Sequence, residues 1–384
     1  MSAYLRQKTA TTQATSIDDQ LAQRAMQAFG ALGNVNGENR LWLHFVEDWL
    51  PIDLSTKEDR TYNLAQVCDT RPDFTPSWFL PDERVSDNYG DFLGTLHEEN
   101  RTKQKLDAAT DRLVSDFFSK YNKALEGERR LRSKSSPKQR AHNMMLARDS
   151  ILALDSARKT LRSKLATARS LGPVDQAYYD FIDSDETVSY QGDQVTIKPF
   201  NLSPDLEGWI KKQSKTIELI ASGTAEIRVS DENVAAAVSS NGVPSDTPVV
   251  SVVAKTNLYA AQFGVFAISR KPWFHQELLE TYRHDLGLSN QLTRFYGRDG
   301  LLRLIPVALV VVKEPVYIVT LSATDFAKTQ ALVDGGKQIF ISIAGNRMAL
   351  NATGMKADPK TSSWKIIPAT PDNLQLIAVI SEAF

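Results

Sequence analysis

Two hydrophobic periods share this chain. Between Arg101 and Leu171 apolar residues recur every three to four positions, whereas beyond about residue 186 they come in short runs rich in Val and Ile. The first period is that of a helix and the second that of strands. Leu106, Leu113, Phe117, Tyr121 and Leu125 fall at steps of four and seven. Met144, Ile151, Leu154, Leu161, Leu165 and Ala168 follow an a/d heptad pattern. SKSSPKQ separates the two runs, and Pro137 is placed to open the second helix. The pattern predicts a long antiparallel helical hairpin over 101–171. Arg158 falls where the heptad wants an apolar residue, which marks a snorkelling side chain or a point where the seam opens.

Upstream, SIDDQLAQRAMQAFGALG predicts a helix capped by Ser16, with Asp19 at its third position and Leu21, Ala25, Phe29 and Leu32 on one face. NRLWLHFVEDWL predicts a second short helix, with Trp42, Phe45 and Trp49 on one side and Pro51 ending it. From there to about Asp91 the chain, including PDFTPSWFLPDE, reads as irregular. Residues 1–15 read as a polar tail.

After LGPVDQ the texture becomes that of strands. TVSYQGDQVTIKPF, KTIELIASGTAEIRVS, TPVVSVVAKTNLYAAQFGVFAIS, LLRLIPVALVVVKEPVYIVTL, KQIFISIAG, SSWKIIPA and NLQLIAVIS are each bounded by Gly, Pro or Asn. Asp334-Gly335-Gly336 reads as a tight turn ahead of KQIFISI. One helix, WFHQELLETYRHD, interrupts this half, and there is no internal repeat. The stretch from Pro248 to Phe274 raises a sharper question, being long enough and apolar enough to cross a bilayer. Lys255, Asn257, Gln262 and Gly264 interrupt it, and a spanning helix needs roughly 20 apolar residues in succession. Both alternating sets along it are largely apolar, so it reads as sheet covered on both faces.

The fold class that follows is α+β. A helical N-terminal half holds a tail (1–15), a helical and irregular region (16–100) and the hairpin (101–171), and a β-rich, sandwich-like domain occupies 185–384. A chain of 384 residues favours two or three such domains. Its single cysteine, Cys68, rules out an internal disulfide framework. With no apolar secretory segment at the start, the expected location is cytoplasmic, or reached by a signal-independent route.

Charge layout changes the picture more than composition does. The net charge is -1. Yet residues 101–170 carry 18 Lys and Arg against 7 Asp and Glu, and residues 1–100 carry 8 against 16. The hairpin's turn, ERRLRSKSSPKQR, gathers Arg129, Arg130, Arg132, Lys134, Lys138 and Arg140. Such a cluster grips an acidic protein surface, a second copy of the chain, or anionic lipid. It has no interleaved aromatics, so base stacking and sequence-specific nucleic-acid reading are not expected.

Motifs for chemistry are sparse. Phosphate-binding glycine loops, nucleophile elbows and paired metal-binding histidines do not occur, and no cofactor is expected. Cys68, followed by Asp69, reads as a structural thiol. If HQELLETYRHD is helical, Glu277, Glu280 and His284 share a face, which is the one place a scattered enzymatic site would sit. Asp183, Asp185 and Glu186 read as a solvated turn. The functional expectation is a non-enzymatic binding or assembly protein that uses the hairpin as its contact arm. A membrane-active protein of the pore-forming kind, and an enzyme with its site near residues 273–285, are the alternatives. None of the chain's distinctive stretches resembles a known family.

Overall fold

The computed structural model describes residues 16–32, 41–46, 56–72, 84–99, 107–132, 137–166, 172–212, 214, 216–230, 252–283, 290–336, 338–343, 346–349, 355–368 and 374–384. In chain order the first elements are α1 (Ile17–Ala31), β1 (Leu41–Phe45), α2 (Lys57–Asp69), α3 (Val85–Glu99), α4 (Ala108–Arg132), α5 (Pro137–Ala166) and α6 (Pro173–Asp183). Then come β2 (Glu186–Tyr190), β3 (Asp193–Ile197), β4 (Asn201–Ser203), α7 (Leu206–Lys211), β5 (Glu218–Ser230), β6 (Val252–Ala260) and β7 (Gln262–Ser269). The remainder are α8 (Gln276–Arg283), α9 (Asn290–Thr293), β8 (Leu304–Lys313), β9 (Val316–Thr320), α10 (Ala323–Asp334), β10 (Gln338–Ile343), β11 (Asn346–Ala349), β12 (Met355–Asp358), β13 (Ser363–Ile366) and β14 (Leu374–Ala383). The fold is mixed α+β.

Two compact units are each assembled from separated segments. The first comprises Met1–Arg60, Leu202–Ile268 and Val307–Ser381, and the second Thr61–Asn201, Ser269–Pro306 and Glu382–Phe384.

The first unit holds the two larger sheets, in the orders β1-β14-β8-β7-β4 and β11-β10-β5-β6-β9-β13-β12, and β2 pairs with β3 in the second. Side chains from both enter one apolar cluster, among them Ile227, Leu258, Val310, Val319, Ile341 and Ile377. The apolar stretch that raised the membrane question lies here, and it is two strands rather than one. It leaves the seven-stranded sheet at Ala260 and enters the five-stranded sheet at Gln262. β8 and β9 make the same change of sheet through Glu314, whose φ is +53°. The Ala261 amide donates to the Lys313 carbonyl at 2.9 Å and holds the two corners together. Leu258 and Ala260 point inward before the corner and Val265 after it, so the buried set switches parity where the strand changes sheet. Phe266, on the other side of β7, is buried beneath Trp209 of α7 at 5.2 Å between ring centroids. Coverage on both faces explains why neither face of the sequence looks wet. Among the described residues no helix is long and apolar enough to cross a membrane.

α1 follows the expectation closely. Ser16 Oγ accepts from the Asp19 amide at 3.1 Å, and Leu21, Ala25 and Phe29 are buried. Its start crosses β5 at Gly223, where a Cβ would lie 2.4 Å from the Ile17 nitrogen.

The second unit is built around α3, which is buried along nearly its whole length. Val85, Tyr89, Phe92, Leu93 and Leu96 join Phe117, Phe118, Tyr121, Tyr178, Phe181, Trp273 and Phe295 in one aromatic-rich cluster. Gly90 lets the Tyr121 ring close against the helix, since a Cβ there would sit 2.5 Å from it. Asn88 donates to the Leu301 carbonyl at 2.9 Å, so even α3's polar face points inward.

Several expectations are corrected. Residues 41–45 are a strand, β1, not part of a helix, because Leu41, Leu43 and Phe45 pack on the sheet core. The stretch read as irregular contains α2 and the start of α3. α6 and α10 also went unread. Asp334-Gly335-Gly336 ends α10 rather than turning a hairpin: the Gly335 amide caps onto the Ala331 carbonyl at 3.0 Å. Leu106 and Ala168, assigned to the helical seam, and Trp49 lie outside the described residues.

The Gly223 contact yields a test. Gly223→Ala forces α1 off β5 and is expected to cost about 2 kcal/mol, in the usual range for an enforced backbone clash, read as a lower urea midpoint at unchanged slope. Unaltered stability would show that α1 does not depend on this crossing.

Candidate functional site

α4 and α5 pack along a seam of Val114, Phe117, Tyr121 and Ala124 from one helix and Ala147, Leu154, Ala157, Leu161 and Leu165 from the other. They come close near Gly127, where an added Cβ would be 3.3 Å from Ala147 Cα. Phe117, Tyr121, Leu154, Leu161 and Leu165 lie in the seam as the heptad pattern assigned, but its upper end differs. Met144 and Ile151, expected inside, are 59% and 39% exposed, because the small residues Ala147 and Ala157 occupy the line of closest approach. Met145 and Leu152 are 56% and 58% exposed beside them. On the other flank, a cleft of about 180 Å³ opens between Lys123, Glu126, Gly127, Asn143, Leu146 and Ser150. That is small against the roughly 300 Å³ at which ligand pockets begin.

The six basic residues singled out in the sequence distribute over both helix ends. Arg129, Arg130 and Arg132 lie in the last turns of α4, and Lys138 and Arg140 in the first turn of α5. Lys134 lies outside the described residues, as do the side chains of the other five. Cations at the end of α4 complement its dipole. Lys138 and Arg140 do the reverse: α5 opens with no acidic residue in its first turn, at the helix end where positive charge costs about 0.3–1 kcal/mol.

Arg158 neither snorkels freely nor opens the seam. It pairs with Asp185, which also holds Lys198 Nζ at 2.7 Å. The Lys198 ammonium donates to the Phe181 carbonyl and sits 4.0 Å above the Phe181 ring, with its side chain 11% exposed. Burial pushes its pKa below the ordinary lysine value, and Asp185 opposes that shift. Arg162 pairs likewise with Asp183. Asp183 and Asp185 are thus partners of α5 rather than members of a solvated turn. Nearby, Asp69 accepts from the Ser86 amide at 2.7 Å and from its hydroxyl at 2.6 Å. Arg270 reaches the Cys68 carbonyl at 2.5 Å.

Among the described residues the nucleophile and acid–base candidates do not assemble into a catalytic set. Cys68 is 2% exposed, and burial pushes its thiol up to about 12, so it is held as the unreactive thiol. Glu277 and Glu280 lie on α8, which ends at Arg283, and His284 lies outside the described residues. The histidine that does meet an acid is His275, whose Nε2 is 2.9 Å from Asp180 of α6, a pairing between distant segments that helical spacing could not reveal. His97 Nε2 lies 3.0 Å from Ser115 Oγ and 3.3 Å from Asp111. Serine and aspartate therefore share one ring nitrogen, whereas triad chemistry needs them on opposite nitrogens. Among the described residues no group of three or more His, Cys, Asp or Glu is arranged to hold a metal. No family model matches this chain, and no curated protein or solved structure matches it either.

Two outcomes are expected. Asp185→Ala leaves two partly buried cations without their shared carboxylate and should cost about 3 kcal/mol, whereas Lys198→Met, which keeps the aliphatic contact with Phe181 and Trp273, should cost far less. Equal losses in urea denaturation would show that the carboxylate is not the pivotal group. For Cys68, the unfolded thiol releases its proton near pH 9 while the folded one keeps it to about 12. The unfolded state then binds fewer protons, so the thiol's contribution is complete below pH 9 and is lost as pH rises through that window. The native chain should lose stability more steeply than Cys68→Ser, by about 1.4 kcal/mol per pH unit. Parallel curves would contradict a buried, protonated thiol.

Proposed function

We propose that this chain is a non-enzymatic binding and assembly protein whose contact element is the α4–α5 pair, presenting a basic turn to an acidic surface. One observation carries the reading: α5 begins with Lys138 and Arg140 and no acid in its first turn. Helix stability would select the opposite charge there. Positive charge kept against that cost, beside Arg129, Arg130 and Arg132, fits a partner of negative charge, whether a protein, a second copy of the chain or an anionic membrane. The finer architecture belongs to the same reading. α4 and α5 form a long antiparallel hairpin, supported by their shared apolar seam. The two sheets form a sandwich, supported by the single cluster to which both contribute. A membrane-active role draws less support, since the apolar segments that suggested it lie in β6, β7, β8 and β9. An enzymatic role draws little from the His275–Asp180 pair alone.

The test uses polyglutamate as an acidic protein-like probe and anionic liposomes as the lipid alternative, each at low and high salt. The expected result is polyglutamate binding that weakens with salt, and that falls roughly ten- to a hundredfold when Arg129, Arg130 and Arg132 become Gln, at about 0.5–1 kcal/mol per exposed pair. Liposome binding with dye leakage would replace this reading with the membrane-active one. Equal binding by the native and neutralised chains would remove the basic turn from the function.

A further inference from the structure

The cleft between α4 and α5 is too small for a free ligand of ordinary size, at about 180 Å³, but it has room for one side chain. It opens beside the close approach of Gly127 to Ala147. Its lining carries little that would hold a charge. Lys123 and Glu126 are both exposed and of opposite sign, so they cancel. The Ser150 hydroxyl donates back to the Leu146 carbonyl at 2.9 Å, on its own helix. Leu146 is 40% exposed, an apolar wall facing solvent. Around the cleft the balance is different. From Tyr121 to Leu152 the chain holds 8 Lys and Arg against 3 Asp and Glu. Most of the surplus belongs to Arg129, Arg130, Arg132, Lys134, Lys138 and Arg140, which follow Gly127 and precede Asn143 in the chain.

We infer that the partner of the basic turn is an acidic peptide segment that sets one apolar side chain, of leucine size, in this cleft. The inference rests on the acidic-partner reading and adds to it the residue that fixes where the partner sits. Charge steers a partner to the helix ends but gives it no register, because exposed ion pairs are individually weak. Protein contacts concentrate their energy in a few anchors seated in pockets, with polar groups around them. A carboxylate in the cleft would meet Glu126, and Ser150 has turned its proton back onto the helix, so the anchor is apolar and the acids lie outside. The small volume favours a peptide over a lipid, since it admits a side chain but not the length of an acyl chain.

Two peptides of equal length test this on the native chain, one all glutamate and the other identical but for a central leucine. The leucine peptide carries one charge less, so a purely electrostatic contact holds it more weakly. The expected result is the reverse: binding about tenfold tighter, near the lower end of what burial of a leucine side chain supplies. Ser150→Phe fills the cleft from its α5 wall and should bring the two affinities together, with circular dichroism checking that the helix pair still forms. Equal or weaker binding of the leucine peptide by the native chain would overturn the anchor and leave the basic-turn reading standing. A leucine preference that survives in Ser150→Phe would place the anchor elsewhere and overturn the cleft. Failure of both peptides to bind, while anionic liposomes do, would overturn the inference together with the reading it rests on.

Discussion

One carboxylate holds two cations in the second unit. Asp185 pairs with Arg158 of α5 and with Lys198 just beyond β3, and Lys198 in turn lies over the Phe181 ring. Neither cation would be stable so placed alone, because removing charge from water costs several kcal/mol unless a partner stands within hydrogen-bond reach. With the trio in place, the lower half of α5 is fixed against α6 and the start of the β2–β3 ribbon. Arg162 with Asp183 repeats the device close by.

That anchoring gives α5 two different halves. From Leu154 to Leu165 its apolar residues are buried, whereas between Asn143 and Leu152 only Ala147 is. A helix of 30 residues anchored at its root can hold an outer half that is stabilised on one side alone. The exposed methionines and leucines there cost nothing in the folded chain only if the helix needs no further cover, and they become available to a partner. Methionine suits such a surface, being flexible and polarizable enough to fit an imperfect neighbour.

The sequence was most legible where one face of an element is wet. α1, with its Ser16 cap and its buried Leu21, Ala25 and Phe29, shows a clean stripe, and so do the two helices of the α4–α5 pair. α3 was missed because it is buried on almost every side and carries Ser86, Asn88, Thr95 and His97 inward, so no stripe exists to be read. β1 reads as helix because five residues, LWLHF, fit either period. The basic cluster between α4 and α5 was plain from composition, but the apolar flank of α5 was not. Heptad spacing places Met144 and Ile151 in the seam with Leu154, Leu161 and Leu165, whereas the close approach at Gly127 selected the small Ala147 there. Asp185 looked solvated because its two partners lie far away along the chain.

Hydrogen–deuterium exchange along α5, measured with and without polyglutamate, tests most directly whether its outer half is a contact surface. Amides between Asn143 and Leu152 should become more protected when polyglutamate is added, while those between Leu154 and Leu165, already held by α4 and the Asp185 trio, stay unchanged. Exchange in the outer half that is rapid and indifferent to added polyglutamate would show that this part of α5 does not contact the acidic probe, and would contradict the account.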